Sequence, residues 1–453
     1  MTPIQFEQYF DSIADGRDSW YERHSVYHRA VERLAQSVIP AGKRVLELGS
    51  ATGNLLAAVK PSRGVGIDIS PRMVERARQN HPHLEFRIGN AEAFELDETF
   101  DFVVLSDLTG ALNDVWKALR CVRGLCHDET RVLITSHSPL WHFPIWLAEQ
   151  LSFKMASQQT NWLTPVDLAD ILFLNHFEVV ETGHRAPVPA AIPGAARLNA
   201  VLERLPIADK LGVFFFIVAR PTPLPTVVDV PCTIVIPCRN EVGNIPGCVE
   251  RVPDLGTSTE LLFVDGASTD GTVEEIERFI ALYAGVKDIR LIHQQAEGDE
   301  RYSGKMLRAG KGDAVRRGFD AAKGRILLIL DSDLTVPPED LPKFYLALVE
   351  GRAQMINGSP LAYPVERGAM RTLNSVANHM FGRIFSWLMD QRVRDTLCGT
   401  KGLTDVDYAQ IRDNRAHFGE FDPFGDFDLL FGAAKLGLRI RDLPVRYQPR
   451  TYG

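Results

Sequence analysis

In the stretch Arg325 to Leu341, RILLILDSDLTVPPEDL, a fully apolar run is broken by Asp331 and Asp333. Side chains alternate along an extended chain, so this spacing predicts two carboxylates on one side of a strand end, able to grip one divalent cation together with diphosphate oxygens. Carboxylates at the end of a buried run are costly without a metal or a donor partner. Two other polar strand ends precede this one. CTIVIPCRNEVGNI, from Cys232, delivers Pro237, Arg239, Asn240 and Glu241, and ELLFVDGASTDGT, from Glu260, delivers Asp265 followed by the turn and cap residues Ser268, Thr269, Asp270 and Gly271. AGKGDAVRRGFDAAKG then places Lys311 among glycines that permit close backbone approach, a cation suited to a donor phosphate. Polar strand ends side by side predict a nucleotide crevice.

A second constellation lies near the N-terminus. VLELGSATGNLL, Val45 to Leu56, sets Glu47 at the end of an apolar run, then a glycine-rich turn, then a helix. Gly49 and Gly53 let the backbone approach a ligand, and the helix start offers unpaired N–H groups. GVGIDIS ends in Asp68, about 20 residues after the turn, where a carboxylate accepts both hydroxyls of a ribose. Gly89-Asn90-Ala91-Glu92 and the run FDFVVLSD, ending at Ser106 and Asp107, supply two more polar strand ends. The four together predict a nucleoside crevice.

Sheet edges are needed to hold these groups. Strand-like runs RVLELG, GVGIDI, FDFVVLS and RVLITS alternate with helical stretches such as PRMVERARQN, the pattern of a parallel sheet with crossover helices. The alternation restarts with CTIVIP, ELLFVDG and RILLILD. Between the two series, PTPLPTVVDVP (Pro221 to Pro231) carries four prolines, which supply neither ladder donors nor helix continuity. An α/β chain of two domains is therefore expected, 1–220 and 232–453 joined by a linker over 221–231, and a length of 453 residues agrees with two cores.

From Val45 to Ser136, and more loosely to Arg220, the chain resembles the class I S-adenosylmethionine-dependent methyltransferases. The resemblance implies a Rossmann-like domain in which Glu47, Gly49 and Gly53 flank the methionine part of the cofactor, Asp68 its ribose, and Asn90 with Ala91 its adenine. Ala51 stands where the family's loop usually has glycine, and Asn90 where aspartate is common; asparagine still offers an acceptor. Methylation of a hydroxyl wants a base near the sulfonium, for which Asp107, His137 and His184 are candidates beside their ordinary structural roles.

From Cys232 to the last residue the chain resembles family 2 glycosyltransferases of the GT-A fold, especially the dolichyl- or polyprenyl-phosphate sugar synthases. This implies inversion at the anomeric carbon, contacts to a nucleotide-diphosphate sugar from Pro237, Arg239, Glu241 and Asp265, and magnesium or manganese on Asp331 and Asp333. Lys311, Arg446 and Arg450 are the phosphate-binding candidates. DTLCGTKGL, from Asp395, and the closing segment FGDFDLLFGAAKLGLRIRDLPVRYQPRTYG match the family's acceptor-side and terminal segments. Asp426 and Asp428 lie near the family's acid, with Asp428 the candidate base if the acceptor is a hydroxyl; an acceptor phosphate is already ionised and needs none. Gly266 replaces a frequent second aspartate, Thr335 a glutamine of some relatives, and Ser359-Pro360 a Ser-Arg pair whose arginine would face an acceptor phosphate.

Composition bounds the rest. A net charge of −8, spread along the chain, argues against nucleic acid as main partner. The six cysteines form no CxxC pair and read as reduced, cytosolic thiols. MTPIQFEQYFDSIADG is no signal peptide, and the most apolar run, Leu211 to Ala219, is far short of the roughly 20 residues that span a bilayer. Membrane contact is thus expected to be peripheral and cytoplasmic. In Arg367 to Arg392, Met370, Leu373, Ala377, Met380, Phe381, Ile384 and Leu388 share one helical face, which serves either a core or a membrane surface. The expected protein is bifunctional. It moves a sugar from a nucleotide-diphosphate donor to a polyprenyl phosphate and methylates a related glycan or carrier. The alternatives are a saccharide or protein hydroxyl as sugar acceptor, and an N-terminal domain that only binds or assembles.

Overall fold

The computed structural model describes residues 3–151, 153–154, 161–188, 195–203, 210–294, 310–360, 363, 382, 384–389, 391–396, 398–415, 426–450 and 452. The chain divides into two compact units, Met1–Leu224 and Pro225–Gly453. The division falls inside the proline stretch, but Pro221 is not part of the connection: it ends a strand, opposite Phe177.

The first unit is a seven-stranded sheet of β1 (Arg44–Leu48), β2 (Arg63–Asp68), β3 (Glu85–Ile88), β4 (Phe100–Ser106), β5 (Cys126–His137), β6 (Phe177–Arg185) and β7 (Phe214–Pro221). Its order is β3-β2-β1-β4-β5-β7-β6. β1 to β5 run parallel, and β7 is antiparallel to both β5 and β6. Helices on both faces leave these strands buried on either side, which is why they read as continuous apolar runs. The apolar run at Leu211 to Ala219 is explained in the same way, since Phe214, Phe215 and Phe216 are buried in the interior strand β7. Three helices precede the sheet: α1 (Pro3–Ile13), α2 (Arg17–Arg23) and α3 (Ser25–Val38). Val31, Leu34 and Ala35 of α3 join Val45, Phe102, Leu133 and Phe214 in one core cluster. Asp15, just after α1, pairs with Arg72 and Arg76 on the helix Pro71–Asn80.

The second unit is another seven-stranded sheet: β8 (Cys232–Cys238), β9 (Thr259–Asp265), β10 (Asp288–His293), β11 (Ile326–Ile329), β12 (Met355–Ser359), β13 (Lys401–Thr404) and β14 (Ile440–Pro444). The order is β10-β9-β8-β11-β13-β12-β14, with β8 to β11 parallel and β13 antiparallel to its two neighbours. Val235, Leu262, Leu327 and Leu403 pack with Ala314, Val315 and Phe319 of the helix Lys311–Ala321 and with Leu429 and Leu430 of the helix Asp426–Lys435.

One expectation is corrected here. Asp331 and Asp333 do not ride on an extended strand, because β11 ends at Ile329. Leu330 donates its N–H to Val235 O at 3.0 Å, and the chain then turns, closed by Leu334 N–H to Asp331 O at 3.1 Å with Leu334 at φ 53°. Turn geometry, not strand alternation, sets the two acids. Of the amphipathic stretch Arg367 to Arg392, residues 367–381, 383 and 390 lie outside the described residues. In the remainder Met389 is buried while Trp387 and Leu388 are exposed. Among the described residues no helix is long and apolar enough to cross a membrane.

Candidate active sites

In the first unit the strand order reverses at β1, flanked by β2 and β4, and ligands of open α/β sheets bind beyond the strand ends at such a point. A cavity of about 580 Å³ opens there, in the size range of small-molecule sites. Gly49, Ala51, Asp68, Asn90 and Ala91 line it. Asp68 is buried, and its oxygens accept N–H groups from Ala51 at 2.8 Å and Ser70 at 2.9 Å. Burial pushes its carboxyl above the ordinary range, against the pull of those two bonds. Ala51 sits at φ 44°, a left-handed conformation that glycine would adopt at less cost.

Glu47 and Gly53 are not among the lining residues; both shape the turn. Glu47 is buried, accepts Leu56 N–H at 3.1 Å, and has its pKa pushed up to about 8 by burial. Gly53, at φ 81°, is pressed so closely that a Cβ would meet the Phe86 ring at 2.5 Å. Asn90 accepts Glu92 N–H at 3.0 Å, and Glu92 in turn accepts N–H groups of Asn113 and Asp114.

The base candidates separate. Asp107 and His137 both line the cavity, whereas His184 is placed on β6 and is not a lining residue. Tyr27 joins the first two: its hydroxyl donates to Asp107 at 2.6 Å, and its ring stacks on His137 with centroids 5.4 Å apart. His137 Nδ1 is 3.8 Å from Asp107. Burial lowers the His137 pKa and raises that of Tyr27, so both are neutral near pH 7. Asp107 itself is held at φ 54°, a strained backbone of the kind concentrated at functional positions. Sequence reasoning missed the contribution of α1 to α3, which bring Phe6, Phe10, Arg17, Trp20 and Tyr27 to the cavity. The signal was the run of aromatics and histidines, with Arg17 and Arg23, between Phe6 and His28.

In the second unit the order reverses at β8, between β9 and β11. The two loops beyond β8 and β9 are laced together: Asn240 N–H donates to Ser268 Oγ at 3.0 Å, and Asn240 Oδ1 accepts Thr269 N–H at 2.8 Å. Asp265 is buried and accepts N–H groups of Ala267 and Ser268. Pro237 ends the same edge half-buried, with Arg239 exposed beyond it. Glu241 bonds Asn244 Nδ2 at 2.6 Å, and burial raises its pKa, reinforced by the neighbouring Asp333.

The acid pair meets two cations. Lys311 Nζ is 2.5 Å from Asp331, and Arg450 Nε is 3.0 Å from Asp333. Asp333 also accepts the Thr335 N–H and hydroxyl, at 3.1 and 2.8 Å. The closing segment brings Arg450 into place through Val445 N–H to Ser359 O and Gln448 N–H to Thr335 O. Gly399 was not singled out from the sequence, yet a Cβ there would collide with both Lys311 Nζ and the Asp331 carboxylate. Arg446 lies 4.9 Å over the Tyr363 ring. Asp428 is buried, with one oxygen accepting from Arg316 at 3.0 Å and Arg415 at 3.2 Å, so it is committed to two guanidiniums. Asp426 opens the same helix, and its side chain lies outside the described residues.

The chain is built from two α/β units, each gathering polar side chains where its strand order reverses. Residues 19–182 match the family described as Methyltransferase domain, and residues 233–410 match the family described as Glycosyl transferase family 2. The chain therefore carries a methyltransferase domain followed by a family 2 glycosyltransferase domain. It is similar to Glycosyltransferase AglJ of Haloferax volcanii, 30% identical over 49% of this chain and 64% of the relative. It is also similar to the Dolichol-phosphate mannosyltransferase of Saccharomyces cerevisiae, 34% identical over 26% of this chain and 40% of that protein. The Undecaprenyl-phosphate mannosyltransferase of Micrococcus luteus is 25% identical over 48% of this chain and 84% of its own length. The chain thus spans less than two thirds of the first two relatives.

Proposed function

We propose that the second unit transfers a sugar, with inversion, from a nucleotide-diphosphate donor to a polyprenyl phosphate, and that the first unit uses S-adenosylmethionine to methylate a related glycan or its carrier. The observation that carries the reading is the convergence of Asp331, Asp333, Lys311 and Arg450 beside the laced loops of Asn240 and Asp265. Two hard carboxylates suit magnesium or manganese, which bind through one or two acids plus substrate phosphates and water. Such an ion would neutralise diphosphate charge as the sugar leaves. Lys311 and Arg450 hold the acids in place and are themselves ready to meet phosphate oxygens. The two relatives named for dolichol phosphate and undecaprenyl phosphate support a lipid-phosphate acceptor, and such an acceptor needs no base, consistent with Asp428 being tied to Arg316 and Arg415. Acting on that acceptor would bring this chain to the cytoplasmic membrane face by peripheral contact.

In the first unit Asp68 supplies the ribose acceptor, with Asn90 and Ala91 beside the adenine. Neutral His137, oriented between Asp107 and Tyr27, receives the proton of an acceptor hydroxyl.

The test is a donor screen of purified protein with manganese, scoring hydrolysis and transfer to short polyprenyl phosphates. Wild type should transfer from one donor class, and Asp331→Ala and Asp333→Ala should each lose metal-dependent turnover while remaining folded. Full activity in both variants rejects the metal assignment; transfer only to saccharide or protein hydroxyls rejects the lipid acceptor.

A further inference from the structure

We propose that Arg17 clamps the α-carboxylate at the amino-acid end of the methyl donor, an assignment that rests on reading the N-terminal cavity as an S-adenosylmethionine site. Arg17 opens α2, is half-buried and lines the cavity. Among the described residues its guanidinium has no hydrogen bond or ion pair, although nearby cations do: Arg72 and Arg76 pair with Asp15, and Lys154 with Glu149. A cation drawn partly out of water without an acceptor is costly, and a planar guanidinium is matched best by a carboxylate or phosphate.

The acids of the cavity do not supply that partner. Asp68 is taken by the N–H groups of Ala51 and Ser70, Glu92 by those of Asn113 and Asp114, and Asp107 by the Tyr27 hydroxyl. The anion must therefore arrive with a ligand. Position selects which one. Arg17 and Tyr21 are one turn apart on α2 and share its face. Tyr21 is within electrostatic reach of Glu47, behind the glycine turn, and Arg17 is within reach of Asp68, Tyr27 and His28. Arg17 thus shares one cavity with Gly49 and Ala51, in the turn after β1, and with Asp68, at the end of β2. With the ribose on Asp68, the amino-acid end of the cofactor would run along Gly49 and Ala51, within the cavity that Arg17 also lines.

Calorimetry on the full chain with two ligands tests this. S-adenosylhomocysteine carries the carboxylate; 5′-methylthioadenosine has the same adenine and ribose without it. Wild type should bind the first at least tenfold more tightly. Arg17→Gln should weaken S-adenosylhomocysteine at least tenfold and leave methylthioadenosine within about twofold, and Arg17→Lys should recover part of the loss. Unchanged S-adenosylhomocysteine affinity in Arg17→Gln overturns the clamp, whether or not methyl transfer falls, since the cation would then face an acceptor's anion or solvent. Equal losses for both ligands also overturn it and assign Arg17 to local structure. Failure of wild type to bind either ligand has a different meaning: it removes the cofactor reading and the clamp with it.

Discussion

Asp68 and Glu47 are both buried acids at strand ends of one sheet, yet they do different work because their partners differ. Asp68 faces the cavity with one backbone N–H on each oxygen, leaving lone pairs for the proposed ribose. Asp68→Ala should weaken S-adenosylhomocysteine binding by ~1–3 kcal/mol, the scale of an unsatisfied buried hydrogen-bonding site, as read by calorimetry. Glu47 instead shapes the turn, and its carboxyl in the folded chain titrates at about 8 because of burial. When unfolded it titrates in the ordinary carboxylate range, so between that range and about pH 8 the folded state holds a proton that the unfolded state has released. Stability contributed by this group is therefore lost as pH rises through that window. Glu47→Gln keeps an acceptor for Leu56 and cannot ionise. Its unfolding free energy, measured with urea in the absence of cofactor, should gain on wild type progressively from pH 5 to pH 8. Parallel pH profiles would show that Glu47 is ionised throughout.

At the scale of elements, the sites are made by what happens just after a strand stops. β11 ends early so that the chain can turn and free Asp331 and Asp333, and the antiparallel neighbour β13 enters directly after Gly399 and Thr400. That approach leaves no room for a side chain at 399 beside the Lys311–Asp331 pair. Since both obstructing groups are tips of flexible side chains, Gly399→Ala should fold and melt like wild type but misplace the pair. Metal-dependent donor turnover is then expected to fall on the order of tenfold to a hundredfold, the cost of an ångström-scale error in a reacting site. Undiminished turnover would mean that the pair has no part in handling the donor.

For the molecule as a whole, each unit owns a sheet, a core and a crevice. The connecting stretch is anchored to the second unit close to its start, where Val230 N–H donates to the Tyr345 hydroxyl at 3.0 Å. A fragment from Pro225 to Gly453 should therefore unfold as one cooperative transition and bind donor with metal as tightly as the full chain, within about threefold. Thermal melting and donor affinity of fragment and full chain side by side decide this. An insoluble fragment, or one that ignores every donor the full chain binds, contradicts autonomy of the unit.

Local signals were enough to read the two-part α/β organisation, the glycine turn before Asp68, and the polar ends of β8 and β9, because apolar runs buried on both faces and glycines at left-handed positions leave a mark within a few residues. The acid pair was legible as chemistry but not as geometry, since where β11 stops is decided by its pairing with β8 and β13. Arg17, Tyr27 and Gly399 left no comparable mark. Their roles depend on helices or loops brought from distant parts of the chain to a sheet edge, as Tyr27 is to Asp107, 80 residues away. The same holds for His137 against His184, and for Asp428, whose two arginine partners come from segments that no local pattern connects. Residue type and spacing determined which reactions this protein is equipped for; only tertiary packing decided which of the candidate groups share a cavity, because hydrogen bonds and ion pairs act over a few ångströms of space whatever the separation along the chain.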